Sequence, residues 1–194
     1  PQYFRQHGYT AVTGGKNYHQ AHGKFSDPVA WDRQYSTQMG TPFPPEANRY
    51  RHGLHGLFSN KILARLIDWA PIEQPTEQTN DWRTADRAAQ LLHHDHDKPF
   101  FLACGIFHPH LPWYVPQKYF DMYPVDAIAL PNVNESDLDD VPALGQKMAK
   151  PQGDHRKVLQ HKQWRKAVQG YLASISFVDT CVGRVLNAFD KCAY

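Results

Sequence analysis

The pattern of apolar and polar positions near the start of the chain predicts a helix followed by a short strand. Residues 1–7 have the pattern of a helix end, and Gly8 is the residue type that stops a helix in the left-handed conformation. The segment Tyr9–Thr13 is apolar and β-prone, which predicts a short buried strand.

A second helix and strand are predicted in the middle of the chain. Apolar residues recur at helical spacing over Asp81–His94, and either Thr79 or Asp81 can cap this helix. The continuous apolar run Phe100–Ile106 predicts a central parallel strand that is buried on both faces. A helix, a short loop and a buried strand in this order are typical of an α/β fold, with a mostly parallel sheet flanked by helices.

The remaining segments are one long helical pattern and two proline-rich loops. Apolar residues at spacings of three and four predict an amphipathic helix over about residues 155–190. Segments 20–60 and 107–153 predict long structured loops, with one or two helical turns at Pro116–Tyr123. The pattern over Ile62–Ile72 is ambiguous, although its proline favours an edge strand.

The composition is that of a globular protein. Hydrophobic residues make up 41% of the 194 positions, which is enough for one domain with its own core. Lys and Arg total 21 against 19 Asp and Glu, so the charge gives no argument for a nucleic acid partner. No apolar run approaches the length of a membrane span, and the oligomeric state stays open. The three cysteines have no metal-ligand spacing and no disulfide framework.

A basic cluster follows the first predicted strand. The strand runs into Gly14 and Gly15, and Lys16 and His19 come shortly after them. In parallel α/β sheets ligands bind at the carboxyl ends of the strands, where a lysine supplies charge and a histidine supplies a proton. The pattern predicts a pocket for a sulfate-like or phosphate-like oxyanion, although a surface lysine and histidine after a strand would look the same.

Two histidines follow the second predicted strand. His108 and His110 are two residues apart, so in an extended segment both side chains lie on one face and could reach one ligand. The same spacing also occurs in metal sites, and His108 could instead be a structural histidine bonded to the backbone. Their position at a strand end favours ligand binding.

Two further polar clusters are interpreted as solvated surface. The run His93–Asp97 has the composition of a metal site, but it lies at a predicted helix end, where the helix dipole favours such side chains. The acidic residues Asp137, Asp139 and Asp140 lack the spacing of a calcium-binding loop. A histidine-based zinc protein is kept as an alternative.

Motifs in three parts of the chain resemble the type I, formylglycine-dependent sulfatases, in particular their iduronate-2-sulfatase-like subgroup. Gly8–His19 resembles the second signature of that family. Lys98–Ala103, followed by Pro109–Pro112 and Pro116–Phe120, is similar to a strand and loop of the family. Tyr171–Leu186 resembles the helix before the family's second metal-binding strand. The likeness spans nearly the whole chain in the order that the family has.

This resemblance implies an alkaline-phosphatase-like α/β domain that acts as a sulfuric ester hydrolase. Lys16 would contact the sulfate and the catalytic aldehyde hydrate, and His19 would orient that hydrate or help to expel sulfate from it. His110 would bind the ester oxygen and protonate the leaving alcohol. His108 stands where the subgroup often has a basic residue, which implies a substrate contact.

The resemblance also implies parts that these 194 residues do not contain. The family's nucleophile is a cysteine in Cys-x-Pro-Ser-Arg that is converted to formylglycine, and none of Cys104, Cys181 and Cys192 has that context. The family's calcium ligands are expected before and after this segment, so no metal ligand is assigned within it. We therefore expect residues 1–194 to be an internal part of a single sulfatase catalytic domain and to be inactive alone.

The expected substrate is a sulfated small molecule or a sulfated glycan, in a periplasmic, secreted or lysosome-like compartment. Substrate selectivity is expected in the loops 20–60 and 107–153. Two other functions are compatible with the same residues. One is hydrolysis of phosphate or phosphonate esters on the same scaffold, and the other is non-catalytic binding of sulfated glycans.

Overall fold

The structure is a computed structural model that describes residues 1–18, 27–36, 68–149 and 153–193. It divides into two compact units. The first unit combines Pro1–Pro42, Glu73–His110 and Ser174–Tyr194, and the second combines Phe43–Ile72 and Leu111–Ala173. The assignment of the chain to a single catalytic domain stays a prediction.

The described residues form five short strands and six α-helices. In chain order they are α1 (Gln2–Gln6), β1 (Thr10–Gly15), β2 (Arg33–Ser36), β3 (Trp69–Ile72), α2 (Asn80–Leu92), β4 (Phe100–Gly105), β5 (Trp113–Pro116), α3 (Gln117–Asp121), α4 (Ala143–Ala149), α5 (Asp154–Gln160) and α6 (Trp164–Phe189).

The first unit is a parallel sheet with the strand order β2–β1–β4 and helices on both faces. On one face Phe101 of β4 stacks on Phe4 of α1, with ring centroids 4.5 Å apart. On the other face Phe100 and Leu102 pack against the buried cluster that α2 and α6 share. Successive side chains of a strand point to opposite faces, which explains this division. The predicted arrangement of a parallel sheet flanked by helices is confirmed.

The loop prediction for residues 20–60 is wrong at β2. This strand has four mostly polar residues and therefore no apolar run that the sequence pattern could reveal. Asp32, directly before β2, is bound to Ala11 of β1 by two hydrogen bonds. The Asp32 carboxylate accepts the Ala11 N–H at 2.8 Å, and the Asp32 N–H donates to the Ala11 carbonyl at 2.8 Å. These bonds fix the start of β2 beside β1. The other described stretch of this segment contains a single turn of 3-10 helix, Pro28–Ala30.

The prediction that Phe100–Ile106 is a central strand buried on both faces is also corrected. In the described part of the chain β4 pairs with β1 alone, and most of its side chains are half-buried. The central strand is β1, which has β2 on one side and β4 on the other. Its residues Ala11–Gly14 are buried.

The second unit contains the parallel pair β3 and β5. The Tyr114 hydroxyl on β5 donates to the Asp68 carboxylate at 2.6 Å, and both residues are buried. A Cβ on Gly170 of α6 would lie within 3 Å of the Trp69 side chain, so glycine permits this close approach. The helical turns predicted within Pro116–Tyr123 are confirmed by α3, whereas α4 and β5 were not predicted. Residues 62–67 of the ambiguous segment lie outside the described residues.

The predicted long helix over residues 155–190 is two helices. Lys162 has a φ of 57°, the left-handed conformation that glycine usually supplies at a helix end. The Gln163 N–H donates to the Val158 carbonyl at 3.0 Å, and the Lys162 N–H donates to the Leu159 carbonyl at 2.9 Å. These bonds satisfy the last carbonyls of α5, and α6 then begins at Trp164.

One helix among the described residues, α6, is long and apolar enough to cross a membrane by length and composition alone. A core helix of a globular protein passes the same test. Several residues of α6 are buried within the protein, namely Ala167, Ala173, Ser174, Phe177, Cys181 and Ala188. The predicted absence of a membrane span is therefore neither confirmed nor contradicted.

Candidate functional site

A close contact between the ends of β1 and β4 fixes the position of Lys16. The two strands are parallel and in register, with Gly15 opposite Gly105. Gly15 has a φ of 71°, and a Cβ there would collide with the Gly105 carbonyl oxygen. A Cβ on Gly105 would collide with the Lys16 backbone, whose N–H donates to the Gly105 carbonyl at 2.8 Å. The two glycines therefore hold Lys16 at the carboxyl edge of the sheet.

The turn after β1 is closed by Asn17, which sequence reasoning missed. Its Nδ2 donates to the Thr13 Oγ1 at 2.7 Å and to the Gly14 carbonyl at 2.8 Å. Asparagine directly after a glycine pair is a known signal for a side chain that bonds the backbone of a turn. This contact stabilises the segment from which Lys16 projects.

The Phe107 ring contacts both of the basic groups that were predicted to share a ligand. The Lys16 Nζ is 4.7 Å from the centroid of the Phe107 ring. The centroid of the His110 ring is also 4.7 Å from it. The ammonium and the imidazole are therefore separated by no more than about twice that distance. The structure brings Lys16 and His110 together, and their catalytic roles stay predictions.

Accessibility differs sharply between the two histidines of the loop after β4. His110 is exposed, and its backbone N–H closes a turn by donating to the Phe107 carbonyl oxygen at 3.1 Å. His108 is 3% exposed, and its ring packs edge-to-face on Phe177 with centroids 5.2 Å apart. The Nε2 of His108 has no hydrogen-bond partner among the described residues. A substrate contact for His108 stays a prediction.

Asp81 receives three hydrogen bonds from the loop after β4. Its Oδ1 accepts the Phe107 N–H at 3.0 Å, and its Oδ2 accepts the His108 N–H at 3.0 Å. The Nδ1 of His108 also donates to Oδ2 at 2.6 Å, since a carboxylate can only accept. Asp81 is 2% exposed, so these bonds lie in the interior. The geometry matches the alternative of a structural histidine, with a carboxylate as its partner.

Sequence reasoning did not find this role of Asp81. It offered Thr79 or Asp81 as the cap of α2, and the structure shows that Thr79 is the cap, with its Oγ1 accepting the Trp82 N–H at 3.4 Å. Asp81 is the second residue of the helix, and its carboxylate is therefore available for the loop. An acidic residue in the first turn of an already capped helix is the signal that could have identified it.

Burial lowers the pKa of Lys16, because desolvation disfavours the charged ammonium. The charge of Asp81 acts in the opposite direction and raises the pKa of Lys16. Burial also raises the pKa of Tyr35 and of Cys104 on the neighbouring strands, so both stay neutral at neutral pH. The buried carboxylate of Asp81 therefore favours the charged form of Lys16.

His19, the third predicted catalytic residue, lies outside the described residues. Within the described ranges no group of three His, Cys, Asp or Glu residues is arranged to hold a metal ion, so those residues do not fit a calcium site. In the His93–Asp97 run, the Nε2 of His96 contacts the Leu91 carbonyl at 2.8 Å. That contact lies at the carboxyl end of α2.

The family to which the chain belongs follows from its match to a sequence model. The model of the sulfatase family matches residues 1–193. The chain belongs to the sulfatase family. This confirms the resemblance found in the motifs around Lys16 and His110.

Curated sulfatases match almost the whole of this sulfatase chain. A sulfatase of Formosa agariphila is 30% identical over 205 residues, covering 100% of the chain and 38% of that protein. The iduronate 2-sulfatases of Mus musculus and Homo sapiens are 30% and 29% identical over 213 residues, covering 98% of the chain and 36% of each protein. The sulfatase chain therefore spans less than two fifths of the length of these relatives.

A solved structure supports the fold. The solved protein is in complex with its substrate, D-glucosamine-2-N,6-O-disulfate. The structural match covers 98% of the sulfatase chain and 46% of the solved protein's chain. The TM-score is 0.50 at 16% sequence identity, so the likeness concerns the fold alone. Together with family membership it confirms the predicted alkaline-phosphatase-like α/β fold.

Proposed function

We propose that the intact protein hydrolyses sulfate esters and that this chain supplies basic residues that bind the sulfate and protonate the leaving group. The observation that carries the proposal is that the Lys16 ammonium and the His110 ring both contact the Phe107 ring, beyond the carboxyl ends of β1 and β4. Membership of the sulfatase family supports the reaction class.

Lys16 is suited to bind an oxygen of the sulfate. Its side chain is half-buried, and a partly desolvated cation interacts with a developing negative charge more strongly than a cation in water does. Asp81 helps to keep the ammonium protonated, because its charge opposes the effect of burial on the pKa of Lys16. In this role Lys16 offsets the charge that grows on the sulfate oxygens as the ester bond breaks.

His110 is suited to donate a proton to the leaving alcohol. Its side chain is exposed, so an ester oxygen can approach the ring, and the turn to Phe107 fixes its backbone. An alkoxide is a poor leaving group at neutral pH, and protonation by an imidazolium removes that barrier. The proton passes from the ring nitrogen to the bridging oxygen as the sulfur–oxygen bond breaks.

The proposed role of His19 rests on the family motif alone. We propose that it orients the aldehyde hydrate or helps to expel sulfate from it. Formylglycine and calcium are typical of the family, but the described residues fit neither the nucleophile motif nor a calcium site. We therefore assign neither the nucleophile nor a calcium ligand to this chain.

A sulfated carbohydrate is the proposed substrate class. Two of the compared proteins are named iduronate 2-sulfatase, and a third was solved with D-glucosamine-2-N,6-O-disulfate. Both names refer to sulfated sugars. The proposed location is correspondingly a periplasmic, secreted or lysosome-like compartment.

The test compares matched sulfate and phosphate esters of one alcohol with the full-length protein. We expect hydrolysis of the sulfate ester and a loss in kcat/KM of about 100- to 1000-fold in Lys16→Ala, which is typical when one charge-stabilising donor is removed. Lys118→Ala is the matched control, because the Lys118 Nζ also lies over an aromatic ring, 5.0 Å from the Tyr119 centroid, but on an exposed side chain. Its rate should stay within about twofold of the wild type.

Two results would contradict the proposal and favour an alternative. A preference for the phosphate ester would indicate a phosphate ester hydrolase on the same scaffold. Binding of a sulfated glycan without turnover by a full-length chain that lacks Cys-x-Pro-Ser-Arg would indicate a glycan-binding homologue.

A further inference from the structure

We propose that Asp81 is a positioning residue that holds the Phe107–His110 segment and the Lys16 ammonium in a fixed relation. This inference rests on the proposed function, because it states how residues of that same site are kept in place.

The first argument is the number of bonds that one carboxylate makes. A carboxylate has two oxygens with about four acceptor positions, and the loop after β4 occupies three of those of Asp81, at 3.0, 3.0 and 2.6 Å. Two of these donors are the consecutive backbone N–H groups of Phe107 and His108. Hydrogen bonds to a charged acceptor are stronger than neutral ones, and burial strengthens them further. The start of the loop is therefore tied to the first turn of α2.

The second argument is the position of Phe107 in the network. Asp81 fixes the backbone of Phe107 through Oδ1, and the Phe107 ring contacts both the Lys16 ammonium and the His110 ring. A shift of this backbone would therefore move the surface against which both basic groups rest. The Phe107 carbonyl also accepts the His110 backbone N–H at 3.1 Å, so Asp81 acts on His110 through the loop.

The third argument is charge. Lys16 is partly desolvated, and Asp81 is the buried carboxylate that acts on its pKa. His110 shares the Phe107 ring with Lys16, while Tyr35 and Cys104 on the strands beside β1 are kept neutral by burial. Replacing Asp81 with a neutral residue removes an anion from this set and disfavours the ammonium.

A purely structural role for Asp81 makes a different prediction. Loss of a structural tie lowers stability and the amount of folded protein, but it does not change the pH at which the remaining enzyme loses activity. Loss of a positioning residue lowers kcat and moves the alkaline limit of activity. The alkaline limit on nitrophenyl sulfate, whose leaving group needs no proton from His110, therefore distinguishes the two roles.

The experiment compares Asp81→Asn with Asp86→Asn in the full-length protein. Asparagine has the shape of aspartate, but its amide group would face donors of the loop instead of accepting from them. Asp86 lies on the same helix and pairs with Arg184 at 2.8 Å, so it controls for the loss of one carboxylate from α2. Lys16→Ala, as above, sets the scale for loss of the cation itself.

We expect Asp81→Asn to lower kcat by about 10- to 100-fold, as substitution of a partner that orients site residues typically does. KM should change less, and the alkaline limit of kcat/KM on nitrophenyl sulfate should move to lower pH, because without the anion Lys16 loses its proton sooner. A nitrophenolate leaves without a proton from His110, so this limit follows Lys16. Asp86→Asn should keep the wild-type kcat and the wild-type limit. A wild-type kcat with a wild-type limit in Asp81→Asn would overturn the proposal, and so would equal losses in both variants with the limit unmoved.

If Asp81→Asn does not fold, His108→Phe replaces it as the test. That variant keeps the carboxylate and both backbone bonds but loses the bond from the ring. We expect kcat to fall by about 2- to 10-fold with KM and the alkaline limit unchanged. A rise in KM with kcat unchanged would assign His108 to substrate contact instead and would overturn the positioning role of its bond to Asp81.

A readout without turnover separates this inference from the proposed function. The Lys16 ammonium of the full-length wild type and of Asp81→Asn is titrated by nitrogen-detected NMR, and the pKa of Lys16 is expected to be lower in the variant. If the wild type does not hydrolyse sulfate esters, the proposed function fails while this titration still decides the role of Asp81. An identical Lys16 titration in both proteins would overturn the inference.

Discussion

At the scale of single residues, the Phe107 ring organises the charges around it. An aromatic face carries partial negative charge, so it attracts the Lys16 ammonium at 4.7 Å without neutralising it. A carboxylate in the same place would pair with the lysine and compete with an anionic substrate. The His110 ring lies tilted by 42° against the same phenyl group. The aromatic ring thus orients two basic groups and leaves both able to meet an anion.

The role of His110 predicts a dependence on the leaving group. We expect His110→Ala to lose far more activity on sulfate esters of sugars or alkyl alcohols than on nitrophenyl sulfate, because a nitrophenolate leaves without protonation. A general acid is typically worth about 100- to 10,000-fold, and this factor should appear on the alkyl esters only. Steady-state kcat/KM on a series of esters of rising leaving-group pKa measures it. An equal loss across the series would show that His110 is not the acid.

Sequence reasoning predicted that Lys16 and His110 meet beyond two strand ends, but it missed the contact of His108 with Asp81. Lys16 and His110 were predicted because a parallel sheet brings the carboxyl ends of its strands to one edge. Asp81 and His108 are 27 residues apart, and their contact depends on how α2 packs beside β4. No local sequence pattern indicates that packing, so the sequence alone leaves both a substrate contact and a structural role open for His108. The structure describes no position for His19.

At the scale of elements, the two glycines at the ends of β1 and β4 let the strands approach each other closely. Gly15 adopts a positive φ, and Gly105 leaves room for the Lys16 backbone. A side chain at either position would force the two strand ends apart. The geometry of the turn into Lys16 therefore depends on the absence of two Cβ atoms.

We expect Gly15→Ala to destabilise the intact protein by at least about 2 kcal/mol, since the left-handed conformation costs alanine about 1–2 kcal/mol and the new Cβ meets a carbonyl oxygen. Gly183→Ala in α6 is the control, because a Cβ there meets nothing within 4 Å. In a helix this change should stabilise by up to about 1 kcal/mol. Denaturant unfolding of both variants measures the difference, and equal effects in both would refute the steric argument.

The helices and strands that sequence predicted well are those with strong local signals. The helix α2 has a capping residue and a regular apolar face, and β4 is a continuous apolar run. In contrast, β2 is polar and forms because β1 offers a free edge beside it. The end of α5 was missed because a lysine, Lys162, occupies the left-handed position where the sequence would suggest a glycine.

At the scale of the whole molecule, the chain brings Lys16 and His110 together, but none of its cysteines lies in the nucleophile motif of the sulfatases. Lys16, Asp81 and the loop after β4 lie in one compact unit, which is assembled from three separate stretches of sequence. Burial raises the pKa of Cys104 and of Cys181, so neither thiol is activated. The described residues also contain no cluster of metal ligands.

We expect a protein consisting of residues 1–194 alone to show no turnover of an aryl sulfate above the uncatalysed rate, because it has neither the nucleophile motif nor, among its described residues, a calcium site. The full-length protein, assayed in parallel, should hydrolyse the same ester. Sulfate release measured by ion chromatography avoids reliance on the colour of the leaving group. Robust hydrolysis by the short chain would mean that its own side chains suffice for catalysis.

The attachment of Asp81 to main-chain amides has a consequence for how such a site can diversify. Two of its three partners are N–H groups that every residue except proline carries, at positions 107 and 108. Any residue except proline at these positions keeps both main-chain bonds, although the contacts of the Phe107 ring and the bond from the His108 ring are lost. Selection can therefore act on the side chains of the loop while its backbone stays bound to Asp81.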